Sequence, residues 1–148
     1  MFKLLKGTGV AVLVAASALS IAQADQASLY TNLGGKTAIV AVVDDFVGRV
    51  AADTRINAFF AATAADPMRL AAFKSKLVDQ ICEASGGPCK YTGMSMKAAH
   101  AGRGIGAADF NALVSDLVAA LDKFHVAPND KQTLLGVLGP MQSDIVEK

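Results

Sequence analysis

The strongest constraint on the fold is the spacing of the apolar residues, which recur every three or four positions through most of the chain. In the stretch 36–51 they stand at 39, 42, 43, 46, 47 and 50, which places them all on one face of a helix. A strand would need apolar residues at every second position, and this pattern is hard to find in the chain. The sequence therefore predicts an all-α domain.

Three more long helices are expected after the first one. Pro67 opens the second helix, at a first-turn position that suits proline, and this helix is expected to end near Cys82. Asp109 lies in the first turn of the third helix, where an acidic residue is favourable. Pro128 opens the last helix, whose apolar face continues to Ile145. A single short helical turn is also expected at 55–60.

The segment between the second and third long helices is long and rich in glycine. Gly86-Gly87-Pro88 and Gly93 predict a loop over 83–94, and a short helical segment is expected at 95–101, before three further glycines. A plain four-helix bundle prefers short connections, so this segment indicates a chain that wraps around something.

The N-terminus has the three parts of a secretory signal peptide. Lys3 and Lys6 make it positive, residues 10–21 are an uncharged apolar run, and Ala22-Gln23-Ala24 has the small-x-small pattern of a cleavage site. A membrane-spanning helix needs about 20 apolar residues, and this run is shorter. We expect a signal peptide at 1–24 and one domain at 25–148. The mature protein is then periplasmic or secreted and is not attached to a membrane.

Charge and cysteine content limit the partners of the mature chain. Without Lys3 and Lys6 it has 12 basic residues against 13 acidic ones, which gives no electrostatic reason to expect nucleic acid as a partner. In an oxidising compartment, Cys82 and Cys89 favour a disulfide over two free thiols. There is no Cys-x-x-Cys motif for redox exchange.

Five short segments carry the most specific residue patterns. They are LYTNLGG at 29–35, DF at 45–46, AFF at 58–60, KYTG at 90–93 and MKAAHAG at 96–102. In their order and spacing they resemble the group 1 truncated globins, and the match covers nearly the whole mature chain. The resemblance implies a shortened globin fold in which two antiparallel helix pairs sandwich a b-type haem.

By this resemblance His100 is the proximal ligand of the haem iron. Imidazole supplies the strong neutral nitrogen donor that haem iron needs, and His100 is one of only two histidines. The glycines that follow it are expected to loosen its segment, so that the backbone approaches the ring. A partly buried histidine without a ligand is the alternative. His125 matches no ligand position and is interpreted as a residue that interacts with a helix C-terminus.

The resemblance also places apolar residues around the haem. Phe60 corresponds to the family phenylalanine that packs on the haem face, and ordinary core packing is a compatible alternative for all of these side chains. The other expected haem contacts are Phe46, Phe59, Phe73, Leu77 and Met96.

The distal side departs from the family. Most members have a tyrosine that donates a hydrogen bond to bound oxygen, whereas this chain has Val47, which cannot donate. The second long helix offers Leu70, Phe73 and Lys74 where glutamine or histidine is common. Residues 83–85 lengthen the next segment, and with the two cysteines they predict a disulfide-pinned loop after the distal helix.

Lys74 is an unusual residue for its position on the predicted distal helix. It follows Leu70 by four residues and precedes Leu77 by three, so it lies within the apolar stripe. A lysine there is costly unless its ammonium is solvated, paired or deprotonated. Three interpretations remain open. The neutral amine binds iron, the ammonium hydrogen-bonds oxygen or a haem propionate, or the side chain extends to the surface.

The expected function is reversible binding of oxygen, nitric oxide, carbon monoxide or a similar diatomic ligand by haem b. One alternative is electron transfer through a six-coordinate Lys/His haem with a redox partner protein. A second is a nitric oxide dioxygenase or a peroxidase-type enzyme, which the loss of the distal tyrosine weakens. A third is a helical domain that binds a partner without haem.

Overall fold

All regular structure in the computed structural model, which describes residues 29–148, is helical, so the all-α prediction is confirmed for this part. The predicted signal peptide at 1–24 lies outside the described residues. No helix within 29–148 is both long and apolar enough to cross a membrane. Residues 29–32 are helical, and the helices that follow in chain order are α1 Gly35–Ala52, α2 Ala61–Ala64, α3 Pro67–Ala84, α4 Met96–His100, α5 Ala107–Lys123, α6 Pro128–Leu138 and α7 Gln142–Ile145. Two 3-10 turns, Asn57–Phe60 and Gly139–Met141, precede α2 and α7.

Helix α1 is the centre of the packing. It packs against both α3 and α5, and its six predicted apolar positions are all buried. Each such side chain stabilises the fold by about 1.5–3 kcal/mol relative to an exposed one. Most other members of this main core come from α3, α5 and α6, and Leu29, Leu33 and Ile56 complete it. The periodicity of 36–51 therefore identified both the helix and its buried face.

Helix α3 is longer than predicted. Asp66 caps its start, because the carboxylate accepts the backbone N–H groups of Met68 and Arg69 at 2.9 and 3.2 Å. The helix continues to Ala84, so residues 83 and 84 form a last helical turn where a loop was predicted. Ser85 follows it, fully buried, and its hydroxyl donates to the Ile81 carbonyl at 2.7 Å. That hydrogen bond gives the buried hydroxyl a partner at the helix end.

The last predicted helix is broken in two. A single helix from Pro128 to Ile145 was expected, but α6 ends at Leu138 and the 3-10 turn Gly139–Met141 leads into α7. Pro140 has no N–H to donate, and its ring clashes with the preceding helical turn. Because of this break, α7 forms a separate element, which packs against α4 and α5.

Asp45 links α1 to the end of α5. Its carboxylate accepts hydrogen bonds from Arg49 Nε and from Lys123 Nζ, both at 2.6 Å. These two bonds hold the pKa of the Asp45 carboxyl below its ordinary value of 3.8. The contribution of Asp45 to folding is therefore complete above about pH 4, and it is lost as the pH falls through the lowered pKa.

We predict that Asp45→Asn lowers the free energy of unfolding by about 1 kcal/mol at neutral pH, because the amide retains one acceptor oxygen and has no negative charge to attract Arg49 and Lys123. Urea unfolding of both chains at about pH 7 and about pH 3 measures this difference. The deficit should shrink at the acid pH, where the wild-type carboxyl approaches its neutral form. An equal deficit at both pH values would contradict the electrostatic origin.

Candidate functional site

A cavity of about 130 Å³ lies where α1, α2 and α3 meet. Val47 of α1, Leu70 and Lys74 of α3, and Phe60 from the preceding 3-10 turn all line it, so the structure brings the predicted distal residues to one place. The remaining lining residues are Asp44, Gly48, Ala51, Thr63 and Ala64. The cavity is thus mostly apolar, and its polar side chains are Asp44, Thr63 and Lys74.

Lys74 has a partner at the cavity wall. Its Nζ lies 3.0 Å from Oδ1 of Asp44, and about one third of the lysine side chain is exposed. Asp44 precedes Val47 by three residues on α1, which brings it to the cavity. The stem of Lys74 thus covers apolar neighbours while its charge is paired and partly solvated.

The predicted aromatic residues divide between the cavity and the core. The rings of Phe60 and Phe73 meet edge to face, with centroids 5.3 Å apart and planes at 65°. Phe46 is buried in the main core and is not part of the cavity wall. Leu77 and Phe73 are half-buried on α3, against the main core. The apolar face of α3 is therefore only partly covered by the protein itself.

The structure also contains a second, smaller core. Ile105, Phe110 and Ile145 form it, and the half-buried Met96 of α4 packs against them. Phe59 packs against both cores. Met96 Sδ is also 3.4 Å from the side-chain amide of Gln80 on α3, which provides a polar contact between the two helices.

His100 ends α4 with a defined ring orientation. Its Nδ1 lies 2.7 Å from the carbonyl oxygen of Met96, one helical turn earlier, and the residue is half-buried. A carbonyl oxygen only accepts, so Nδ1 carries the proton and Nε2 of the neutral ring keeps its lone pair. The Ser95 hydroxyl caps the start of α4 by accepting the Ala98 N–H at 3.2 Å. The ring thus presents one fixed nitrogen donor.

The loop after His100 is held, whereas the glycines were expected to loosen it. Gly102 and Gly104 both have a positive φ, and their N–H groups donate to the two carboxylate oxygens of Glu147 at 2.5 and 2.6 Å. These bonds hold the pKa of the Glu147 carboxyl below its ordinary value. Sequence reasoning missed this residue because it lies 45 and 43 positions from its two partners, and no local pattern indicates the pair.

His125 lies just after α5 and not in the cavity wall. It is the only residue other than glycine within 29–148 with a positive φ, at 56°, and its N–H donates to the Asp122 carbonyl at 3.0 Å. The backbone of His125 therefore helps to end α5, and its side chain is exposed.

The predicted disulfide joins Cys82 to Cys89, with 5.7 Å between their Cα atoms. It connects the last turn of α3 to the loop that leads towards α4. Tyr30 packs into this loop, where a Cβ at Gly87 would come within 2.5 Å of the tyrosine ring. The Tyr30 N–H also donates to the Ser85 carbonyl at 2.9 Å. A larger residue at 87 would have to displace the Tyr30 ring or the Cys82 sulfur.

These residues suit a flat apolar group that brings its own metal. Within 29–148 no cluster of three or more His, Cys, Asp or Glu side chains could hold a bare metal ion. What the chain offers is one imidazole nitrogen, together with half-buried apolar side chains on α3 and α4. Haem takes four equatorial nitrogens from its own ring and one axial donor from the protein, so this donor set fits it.

Comparison with known proteins decides the family. The model of the bacterial-like globin family matches residues 28–147. The group 1 truncated hemoglobin of Mycolicibacterium paratuberculosis is 35% identical over 123 residues, which are 83% of this chain and 87% of that protein. This chain belongs to the group 1 truncated globins. It is therefore a haem protein that binds a ligand reversibly.

Solved structures of the family agree with the fold. The truncated hemoglobin of Tetrahymena pyriformis in its Fe(III) form is 28% identical, with a TM-score of 0.73. The 2/2 hemoglobin of Synechococcus sp. PCC 7002, in the cyanomet state with covalently attached heme, is 31% identical, with a TM-score of 0.72. Each comparison covers 81% of this chain and 98% of the other. The fold is thus the two-on-two truncated globin fold that the sequence predicted.

Proposed function

We propose that this truncated globin holds haem b between α3 and α4 and binds a small diatomic ligand, such as oxygen, nitric oxide or carbon monoxide. The observation that carries this proposal is the orientation of His100, whose Nδ1–H donates to the Met96 carbonyl and leaves Nε2 as the axial donor. The bound haem would supply the iron atom at which a diatomic ligand binds reversibly.

The residues around His100 set the direction and the basicity of its Nε2 donor. The hydrogen bond from Nδ1 to Met96 orients the imidazole ring and raises the basicity of Nε2. Met96 also packs in the second core, so the carbonyl that accepts this bond is itself held in place. In this arrangement the chain sets the direction of the axial donor before haem binds.

The distal residues form a mostly apolar wall with few hydrogen-bond donors. Val47, Leu70 and Phe60 make the cavity wall apolar, whereas Thr63 and Lys74 can each donate a hydrogen bond. Thr63 was not among the predicted distal residues, because it lies on the short helix α2 that the periodicity did not reveal. We propose Lys74 as the donor to the ligand, since its ammonium already lies at the cavity.

The electron-transfer alternative requires the neutral amine of Lys74. An amine must have a free lone pair to bind iron, and an ammonium paired with Asp44 at 3.0 Å has none. The ion pair therefore supports ligand binding over a six-coordinate Lys/His haem that serves a redox partner protein. Val47 likewise offers no donor of the kind expected for a nitric oxide dioxygenase.

We predict that His100→Ala abolishes stoichiometric haem binding or leaves a haem that exchanges readily, because the iron loses its strong axial donor. His125→Asn is the matched control, since asparagine tolerates the positive φ at this position. Haem titration of each apoprotein, followed by the Soret absorbance, measures the effect. Equal behaviour of the two variants would overturn the assignment of His100.

We predict that Lys74→Ala releases oxygen about tenfold faster than wild type, with the same ferric spin state, because a charge-assisted hydrogen bond is lost. Lys76→Ala is the control, since Lys76 is exposed on the same helix and does not line the cavity. Stopped-flow oxygen release and ferric absorption spectra measure both properties. A change from low-spin to high-spin ferric haem in Lys74→Ala would instead establish iron coordination by the amine.

We also propose that residues 1–24 are removed during export and that the protein acts in the periplasm. The Cys82–Cys89 disulfide supports this location, because such bonds persist in oxidising compartments. Mass spectrometry of a periplasmic fraction should find a chain that begins at Asp25 and has no free thiol. An uncleaved chain, or two free thiols in that fraction, would contradict the proposal.

A further inference from the structure

The loop that follows His100 forms a small anion-binding concavity. Gly102 and Gly104 have φ values of +74° and +68°, in the left-handed region that glycine adopts without strain. As a result, their N–H groups both point to one carboxylate, that of Glu147. Backbone N–H groups that converge on one point in this way attract negative charge. The chain fills this concavity with its own C-terminal segment.

Backbone hydrogen bonds hold the same C-terminal segment against the loop. The Glu147 N–H donates to the Ile105 carbonyl at 2.9 Å, and the Ala107 N–H donates to the Lys148 carbonyl at 3.3 Å. Ile145, two residues earlier, is buried beside Ile105 in the second core. The side chain of Glu147 therefore adds to a segment that is already docked, and it reaches the part of the loop nearest to His100.

Helix α4 needs such external support because it is very short. Its five residues form little more than one turn, and an isolated helix of this length is not stable in water. α4 packs chiefly against α7, which leads directly into Glu147. The orientation of His100 at the end of α4 thus depends on the elements that hold α4 and the loop after it.

We propose that Glu147 is a positioning residue for His100. By holding the N–H groups of Gly102 and Gly104, its carboxylate fixes the exit of the chain from α4 and so the direction of Nε2 towards the haem iron. The inference rests on the proposed function, because it takes His100 as the axial ligand. Glu147 is not expected to touch the haem.

Glu147→Gln tests the role of the carboxylate with almost no change in size. A carboxylate has two acceptor oxygens, whereas an amide has one, so one of the two glycine N–H groups loses its partner. Glu83→Gln is the matched control, because Glu83 also accepts a backbone N–H, that of Tyr91 at 2.9 Å, in the loop that precedes α4. Glu147→Asp retains both oxygens and should lie between wild type and Glu147→Gln.

Two measurements on the haem-loaded proteins test whether Glu147 positions His100. These are the rate of haem transfer to excess apomyoglobin and the iron–histidine stretching band of the ferrous protein in resonance Raman spectra. We expect Glu147→Gln to lose haem about tenfold faster and to show a shifted or broadened band, in line with other changes to residues that orient metal ligands. Glu83→Gln should match wild type in both measurements.

The possible outcomes distinguish a role of Glu147 in positioning His100 from a general contribution to the stability of the protein. If Glu147→Gln lowers only the melting temperature, with haem loss and the stretching band unchanged, the positioning role is overturned. Equal changes in Glu147→Gln and Glu83→Gln would overturn it as well, because any weakened loop would then have the same effect. A wild-type band that persists in His100→Ala would refute the axial assignment itself, and the role of Glu147 would fall with it.

Discussion

The hydrogen bond from Nδ1 of His100 to the carbonyl of Met96 is the interaction on which the site depends. It selects one tautomer of the imidazole and leaves Nε2 as the only ring nitrogen with a free lone pair. Both ends of this bond lie on α4, which has five residues. The chain therefore supports α4 from outside, through α7, the second core and the carboxylate of Glu147. The long central helices provide the frame for this short one.

The proposed distal side differs from the side of His100, because long helices form most of it and its side chains are mostly apolar. Val47 and Leu70 come from α1 and α3, whose packing is fixed by the main core. The one charged donor, Lys74, is held by Asp44 at the edge of the cavity. A partly exposed ion pair of this kind contributes little to stability.

Sequence periodicity predicted the long helices because burial of one helical face follows a local pattern, as in α1. The periodicity did not predict the structure where contacts between distant residues or backbone constraints determine it. Pro140 ends α6 because it lacks an N–H, and this signal was present in the sequence but was outweighed by the continuing apolar stripe. The partners of Lys74 and of the glycine loop, Asp44 and Glu147, lie 30 and 45 residues away, so no local pattern could identify them. The family resemblance predicted His100 as the axial ligand, but it could not reveal the hydrogen bond that orients the ring.

The most direct test of this account uses the small number of histidines in the chain, which is two. In a His125→Asn variant, His100 is the only remaining histidine. The variant is produced with ordinary or with 15N-labelled histidine. Resonance Raman spectra of its ferrous form then report on that residue alone. The account predicts an iron–histidine stretching band that moves to lower frequency with the heavier isotope. A band that does not respond to the label, or no such band in a protein that holds haem, would show that His100 is not the axial ligand.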